Sequence, residues 1–242
     1  MLEKRTRFHA DALSGGLVAV AGGTLLGKLT ASAERYSLGE DCWEPAAPLP
    51  VALVDHAGAT HKGILYISGG FSGGNTLSDL YSYLPRLKRW VLNRPSAFSR
   101  CDHGMATLQD AIYCVGGRSL SKEKEWVPVN EMEFYRPAID QWTTVRASLL
   151  GCSQFSLTAS GSRLCVTGGG SLHHRSKTTG VFTYTRCDSK WERAGTLPVA
   201  LADHCTCILS VSAQTLRRIK SQDPPRSRAP PGTSTLDPSV QE

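Results

Sequence analysis

The sequence predicts an all-β repeat array built from the four-stranded units of a β-propeller, because one spacing recurs along it. Trp43, Trp90 and Trp142 each stand 26 residues before a glycine pair, at Gly69-Gly70, Gly116-Gly117 and Gly168-Gly169. A tyrosine stands seven residues before each of four tryptophans: Tyr36, Tyr83, Tyr135 and Tyr184 before Trp43, Trp90, Trp142 and Trp191. Counting Gly22-Gly23 as the first pair, the pairs recur at intervals of 47, 47 and 52 residues, a period of propeller-blade length. Units of this kind bury their faces only against one another, so the 242 residues read as one array.

Each repeat carries strand signals in a fixed order. Small residues follow a histidine slot (His56 to Thr60, His103 to Thr107), as suits an innermost strand crowded near an axis. Apolar runs then end in the glycine pairs: Ile64 to Ser68, Ala111 to Val115 and Leu164 to Thr167. Glycine at such an end permits positive φ and close approach of a neighbouring backbone. A third strand carries the tyrosine, a short turn follows, and the fourth begins at the tryptophan. Each indole would bury on the order of 150–250 Å², an upper bound of ~4–6 kcal/mol.

The ends of the chain need separate treatment. Lys4, Arg5 and Arg7 before the apolar run from Ala12 to Gly27, with Ala31-Ser32-Ala33 beyond, imitate a secretion signal. His9, however, stands 13 residues before Gly22, as His56 does before Gly69, so the run reads as a strand in register with the later ones. At the other end, His204 opens a further strand, but Arg217-Arg218 stand where the next glycine pair would fall. Residues 210–242 hold no aromatic residue and five prolines, a composition that predicts disorder. The expected organisation is blades at 5–50, 51–96, 97–149 and 150–198, the first strand of a fifth at 199–209, and a disordered tail at 210–242.

Composition excludes several function classes. The net charge of +6 comes without a basic stripe interleaved with aromatics, which argues against nucleic acid as a partner. No apolar run reaches the ~18 residues of a membrane helix. The eight cysteines show no C-x-x-C spacing and read as free thiols of a reducing compartment. His204 with Cys205 and Cys207 lacks a fourth ligand for zinc. No G-x-S-x-G, Walker loop or H-E-x-x-H occurs, and the Asp-His pairs read as a periodic packing device. The expectation is therefore no catalytic residue, no cofactor and no metal.

The double glycine, the tyrosine, the tryptophan seven residues on and the Leu-Pro after it (Leu49-Pro50, Leu197-Pro198) stand in the order of the kelch motif. Over residues 5–209 the chain resembles the kelch repeat, and within kelch proteins it is most similar to the kelch-like substrate adaptors. In those, the propeller follows BTB and BACK domains and presents target proteins to a cullin-3 ubiquitin ligase. The resemblance implies an open kelch propeller of about four four-stranded blades plus one extra strand, acting as a cytoplasmic protein-interaction module. Two departures stand out: no BTB or BACK domain is present, and the array is shorter than the six blades usual in that family. The chain thus reads as a fragment or alternative product of a longer protein. A cullin-3 contact would then come only through the missing domains, and the open ends would favour self-association. Actin binding and kelch-type metal oxidase chemistry are the alternative readings.

Repeat length varies between the glycine pair and the tryptophan, so insertions fall in those loops, where recognition residues concentrate. In the kelch-like family these loops, with those entering the next blade, are similar to the target-binding rim. The residues so implied are Phe71, Arg118, Lys122, Trp126, His173, His174 and Arg175 on the first set and Arg100 on the second. Arg100 stands three residues before a histidine slot, where the family often places a target-contacting arginine; the matching Leu53, Cys152 and Leu201 are not basic.

Overall fold

A computed structural model of the chain describes residues 1–13, 16–24, 26–147, 151–171, 176–208 and 210–222. Four antiparallel sheets follow one another as blades. The first holds His9–Leu13, Gly16–Thr24, Leu29–Ser37 and Cys42–Ala46, with Arg5–Thr6 along its second strand. The second holds Ala57–His61, Ile64–Ser68, Leu80–Leu84 and Arg89–Asn93. The third holds Gly104–Leu108, Ala111–Val115, Met132–Arg136 and Gln141–Val145. The fourth holds Ser156–Ser160, Arg163–Thr167, Ser176–Thr185 and Lys190–Leu201.

The tryptophans occupy equivalent places. Each pairs in register with the tyrosine of the adjacent strand: Tyr36 with Trp43, Tyr83 with Trp90, Tyr135 with Trp142, Tyr184 with Trp191. The ring centroids lie 5.3, 5.1, 5.2 and 5.4 Å apart, tilted by 44–46°. All four indoles are half-buried because their strands are the outermost, so each contributes well below the full-burial bound. Their polar ends reach back one blade: Trp90 Nε1 donates to the Ala47 carbonyl at 2.9 Å and Trp142 Nε1 to that of Arg94 at 2.8 Å.

The apolar cores lie between the blades. Val18, Val20 and Ala33 pack with Leu65, Ile67 and Tyr81; Ala57, Ala59 and Leu80 with Met105, Ile112 and Tyr135; Leu108 and Tyr113 with Phe155, Leu164 and Tyr184. A backbone chain links the entries of the inner strands. The amides of Asp55, Asp102, Gln154 and Asp203 donate to the carbonyls of Arg7, Asp55, Asp102 and Gln154 at 2.9–3.1 Å. All five residues are left-handed, with φ between 53° and 59°. The inner strands Ala57–His61 and Gly104–Leu108 are almost wholly buried, whereas His9–Leu13 and Ser156–Ser160 are only half-buried. That contrast is the signature of an open arc, since a closed ring would bury all four alike. Residues 203–208 run where a fifth inner strand would lie, with Thr206 N donating to Ser156 Oγ at 2.9 Å, but they pair with no strand.

Two expectations about sequence position change. In the first blade the glycine pair's place is held by Ala21-Gly22, not Gly22-Gly23. Ala21 (φ 53°) and Gly22 (φ 106°) match Gly69 (63°) and Gly70 (101°), and Val20 pairs with His9 as Ser68 pairs with Ala57. The first histidine slot therefore holds Phe8, which packs on Gly22 as His56 packs on Gly70. The Ala12 to Gly27 run does contain a blade strand, but one residue out of the register expected. In the stretch from 210, Ala213–Gln222 form a helix, its start capped by Ser212 Oγ accepting from Thr215 N at 3.1 Å. Proline first appears at Pro224, past the helix; residues 223–242 lie outside the described set.

Buried imidazoles give the fold an acid sensitivity. Burial, with a smaller push from His9, lowers His56 to about 3, and burial takes His103 well below its ordinary value. An unfolded imidazole gains its proton below pH ~6.5, so each histidine's contribution is complete above that pH and declines on acidification, by about 2 kcal/mol for His56 near pH ~5. Asp102, raised to about 6 chiefly by burial, acts in the opposite sense over the same window. Comparing His56→Phe/His103→Phe with wild type isolates the imidazoles, since Phe8 and Phe155 already fill this slot. Urea unfolding at neutral and mildly acid pH should show the variant losing less stability on acidification than wild type.

Candidate functional site

Two short hairpins stand on neighbouring blades after the second and third glycine pairs. One pairs Phe71–Ser72 with Asn75–Thr76; the other pairs Arg118–Leu120 with Trp126–Pro128. Hydroxyls join them, with Ser119 Oγ lying 3.0 Å from Thr76 Oγ1 and 2.9 Å from Ser99 Oγ. Lys124 Nζ donates across to Gly74 O at 3.2 Å and Asn75 Oδ1 at 3.0 Å. The hairpins thus present one surface.

Three of the expected residues converge there. The rings of Phe71 and Trp126 lie 5.8 Å apart, and the Arg118 guanidinium stacks 4.3 Å over the Trp126 ring. Trp126 is 39% exposed, which leaves an indole edge open to a partner. Arg118 Nε donates to Asp102 Oδ2 at 2.6 Å, and its backbone makes reciprocal bonds with Cys101. The strip continues through Asp55, which Arg7 grips through both carboxylate oxygens, with Nε to Oδ1 at 2.6 Å. Phe71, Trp126, Arg118, Asp102, Asp55 and Arg7 therefore form one aromatic-to-charged strip. Lys122 is exposed on the second hairpin.

Asp55, Asp102 and Cys101 are the one group of potential metal ligands within 4.8 Å of one another among the described residues. They do not fit a metal. Arg7 and Arg118 already engage both carboxylates, and burial, reinforced by Asp102, pushes the Cys101 thiol up to about 12, away from the thiolate a soft metal needs. Nor is there an Asp-His dyad at this position, since the Asp102 carboxylate goes to Arg118 and the His103 ring nitrogens make no hydrogen bond among the described residues.

Arg100 departs from the rim expectation. It is 1% exposed, and it spends its donors inside the third blade: Nη1 on the carbonyls of Gly116 (3.0 Å) and Glu131 (2.9 Å), Nη2 on Glu133 Oε2 (2.7 Å). Arg5 repeats the arrangement in the first blade, bonding the carbonyls of Ala21 and Ser32 and the Glu34 carboxylate. The second and fourth blades fill the same two slots with Leu53 and Tyr81, and with Cys152 and Phe182. The pair is a structural clamp, ionic in odd blades and apolar in even ones. His173, His174 and Arg175 lie outside the described residues.

The sequence gives Asp55 and Asp102 only a packing role in the Asp-His pairs, and Arg7 only a place in the apparent secretion signal. The signal for the two aspartates was present: each precedes a histidine slot, and a polar residue with positive φ is most often Asn or Asp. Arg7 could have been found only with the first blade in correct register.

Two stretches match the kelch motif, residues 52–92 and 99–147, and these coincide with the second and third blades. Among curated proteins, the chain is 32% identical over 95 residues to Kelch-like protein 9 of Mus musculus, covering 39% of this chain and 15% of that protein. It is 31% identical over 95 residues to Kelch-like protein 13 of Homo sapiens, covering 39% of this chain and 14% of that protein. The matched stretch thus spans about one seventh of these relatives. Among solved structures, the fold is similar to that described as "Structure of YjhT", with a TM-score of 0.69 at 15% identity, covering 83% of this chain and 73% of that one. The chain is a propeller arc that carries kelch motifs in its second and third blades.

The clamp yields a stability test. Arg100→Ala leaves the Glu133 carboxylate buried and unpaired, and should cost about 3–5 kcal/mol by urea denaturation. Arg100→Leu/Glu133→Tyr, copying the second blade, should recover most of that loss.

Proposed function

We propose that the chain is a non-enzymatic protein-interaction module and that its recognition surface is the strip from Phe71 and Trp126 through Arg118 to Asp102, Asp55 and Arg7. One observation carries the reading. Phe71 and the Arg118–Trp126 pair come from different blades, yet the hairpins bring them into one exposed cluster. A half-exposed indole backed by an arginine is the composition of an interface anchor, where a few Trp, Tyr and Arg residues carry most of the affinity. The two aspartates beside it are engaged by Arg7 and Arg118 and hold those guanidiniums in place along the rim.

A finer reading rests on the resemblance of the glycine, tyrosine and tryptophan spacing to kelch-like adaptors: a cytoplasmic substrate-recognition propeller of a cullin-3 ubiquitin-ligase adaptor. On this reading the chain supplies target recognition, and cullin binding falls to BTB and BACK domains.

Affinity capture from cells with wild-type chain, Trp126→Ala and Arg118→Ala as parallel baits tests the surface. Partners retained by wild type should fall about tenfold or more with either variant, the loss expected of an interface anchor. Trp126→Ala removes a partly exposed side chain and should leave the melting temperature near wild type, whereas Arg118→Ala also unpairs Asp102 and should melt lower. Partners held equally by all three baits would place the interface elsewhere.

A further inference from the structure

We infer that the junction between the first and second blades holds a carboxylate-binding pocket whose ligand is an acidic side chain of a bound peptide. It shares no residue with the rim strip and does not depend on the function proposed for it.

The repeats themselves supply the argument. Five residues after each blade tyrosine comes a left-handed turn residue: Asp41, Lys88, Asp140 and Ser189, with φ of 48–51°. In the third blade the Asp140 carboxylate joins two blades, with Oδ1 accepting from the Tyr135 hydroxyl at 2.7 Å and from the Arg94 amide of the preceding blade at 2.9 Å. In the first blade Asp41 likewise accepts from the Tyr36 hydroxyl. The second blade has the same frame, since Trp90 Nε1 bonds Ala47 O just as Trp142 Nε1 bonds Arg94 O. Ala47 therefore holds the place of Arg94, and Tyr83 that of Tyr135. The turn residue, however, is Lys88, so the bridging carboxylate is replaced by a cation.

At that junction lies a cleft of about 330 Å³ lined by Tyr83, Ala47, Arg35, Arg86 and Lys88, with Glu44 and apolar walls that include Val18 and Pro85. Tyr83 is 7% exposed and its hydroxyl makes no hydrogen bond among the described residues. Tyr83 lines a cleft where three cations oppose one anion, and its hydroxyl is free to donate to a ligand there. Glu44 is partly occupied by Arg35 at 3.4 Å, which leaves Arg86 and Lys88 for an incoming anion. A carboxylate seated as Asp140 is seated would accept from the Tyr83 hydroxyl and the Ala47 amide and lie among these cations. The apolar walls suit the aliphatic residues of a peptide beside it, more than they suit a free ion.

Calorimetric titration of the full chain with acetyl-Ala-Pro-Asp-Ala-amide, its Asn counterpart and succinate tests this directly. The Asp peptide should bind about tenfold or more tighter than the Asn peptide, the discrimination expected of a charge-assisted site. Lys88→Asp should abolish binding by supplying the carboxylate internally, and should raise the melting temperature by about 2–4 °C. Tyr83→Phe should weaken binding with little change in melting temperature. Equal binding of the two peptides, no binding of either, or full binding by Lys88→Asp would overturn the site. Succinate binding without the Asp peptide would overturn the peptide as its source.

Discussion

Everything in this fold depends on how one blade grips the next. Among the described residues, each of the three apolar cores is shared between consecutive sheets. Polar contacts set the spacing that these cores fill. On the inside, a left-handed residue in each blade passes a backbone hydrogen bond to its counterpart in the next. On the outside, the indoles of Trp90 and Trp142 tie back to carbonyls one blade earlier. A propeller blade is a twisted sheet with two apolar faces, and it is stable only when both ends of this grip are made.

The same dependence explains why the surface chemistry gathers where it does. The glycine pairs let one blade's backbone approach the next: Gly69 and Gly116 lie against the carbonyls of Arg100 and Cys152 in the following blade, where a Cβ would sit within 3 Å. The chain leaving each pair must turn away from that contact, and in the second and third blades it does so as a hairpin. Two hairpins from adjacent blades are thereby held side by side, and residues 55 positions apart, Phe71 and Trp126, become neighbours. The aspartates of the left-handed entries lie beside them, because the same close approach fixes their position.

The repeat was legible in the sequence because its ruler is made of large, rare residues. Tyrosine and tryptophan seven apart meant a cross-strand pair, and the structure places all four pairs in register. Phe71, Trp126 and Arg118 were legible for a different reason, since insertions mark the loops that scaffold packing does not constrain. What was not legible follows from degeneracy in the signal. Gly22-Gly23 looks like the pair, but the left-handed position falls on Ala21, and only the strand register reveals it. Arg100 looked like a rim arginine because a side chain's direction is not written in its own identity. Its interior role becomes visible when Glu133 is set against Glu34 and Arg5 against Arg100, a comparison that needs the corrected first blade. The helix at Ala213–Gln222 was hidden by averaging a proline-free stretch with the proline-rich residues after it.

Hydrogen exchange of individual amides, followed by NMR, tests the inter-blade grip most directly. The amides of Asp102 and Gln154 lie in turns yet donate across a blade junction. They should exchange as slowly as those of the inner strands, and Trp142→Ala should make both sets exchange faster together. Exchange of these two amides at the rate of an open loop, while strand amides stay protected, would mean that the blades fold as separate sheets and that the shared grip does not exist.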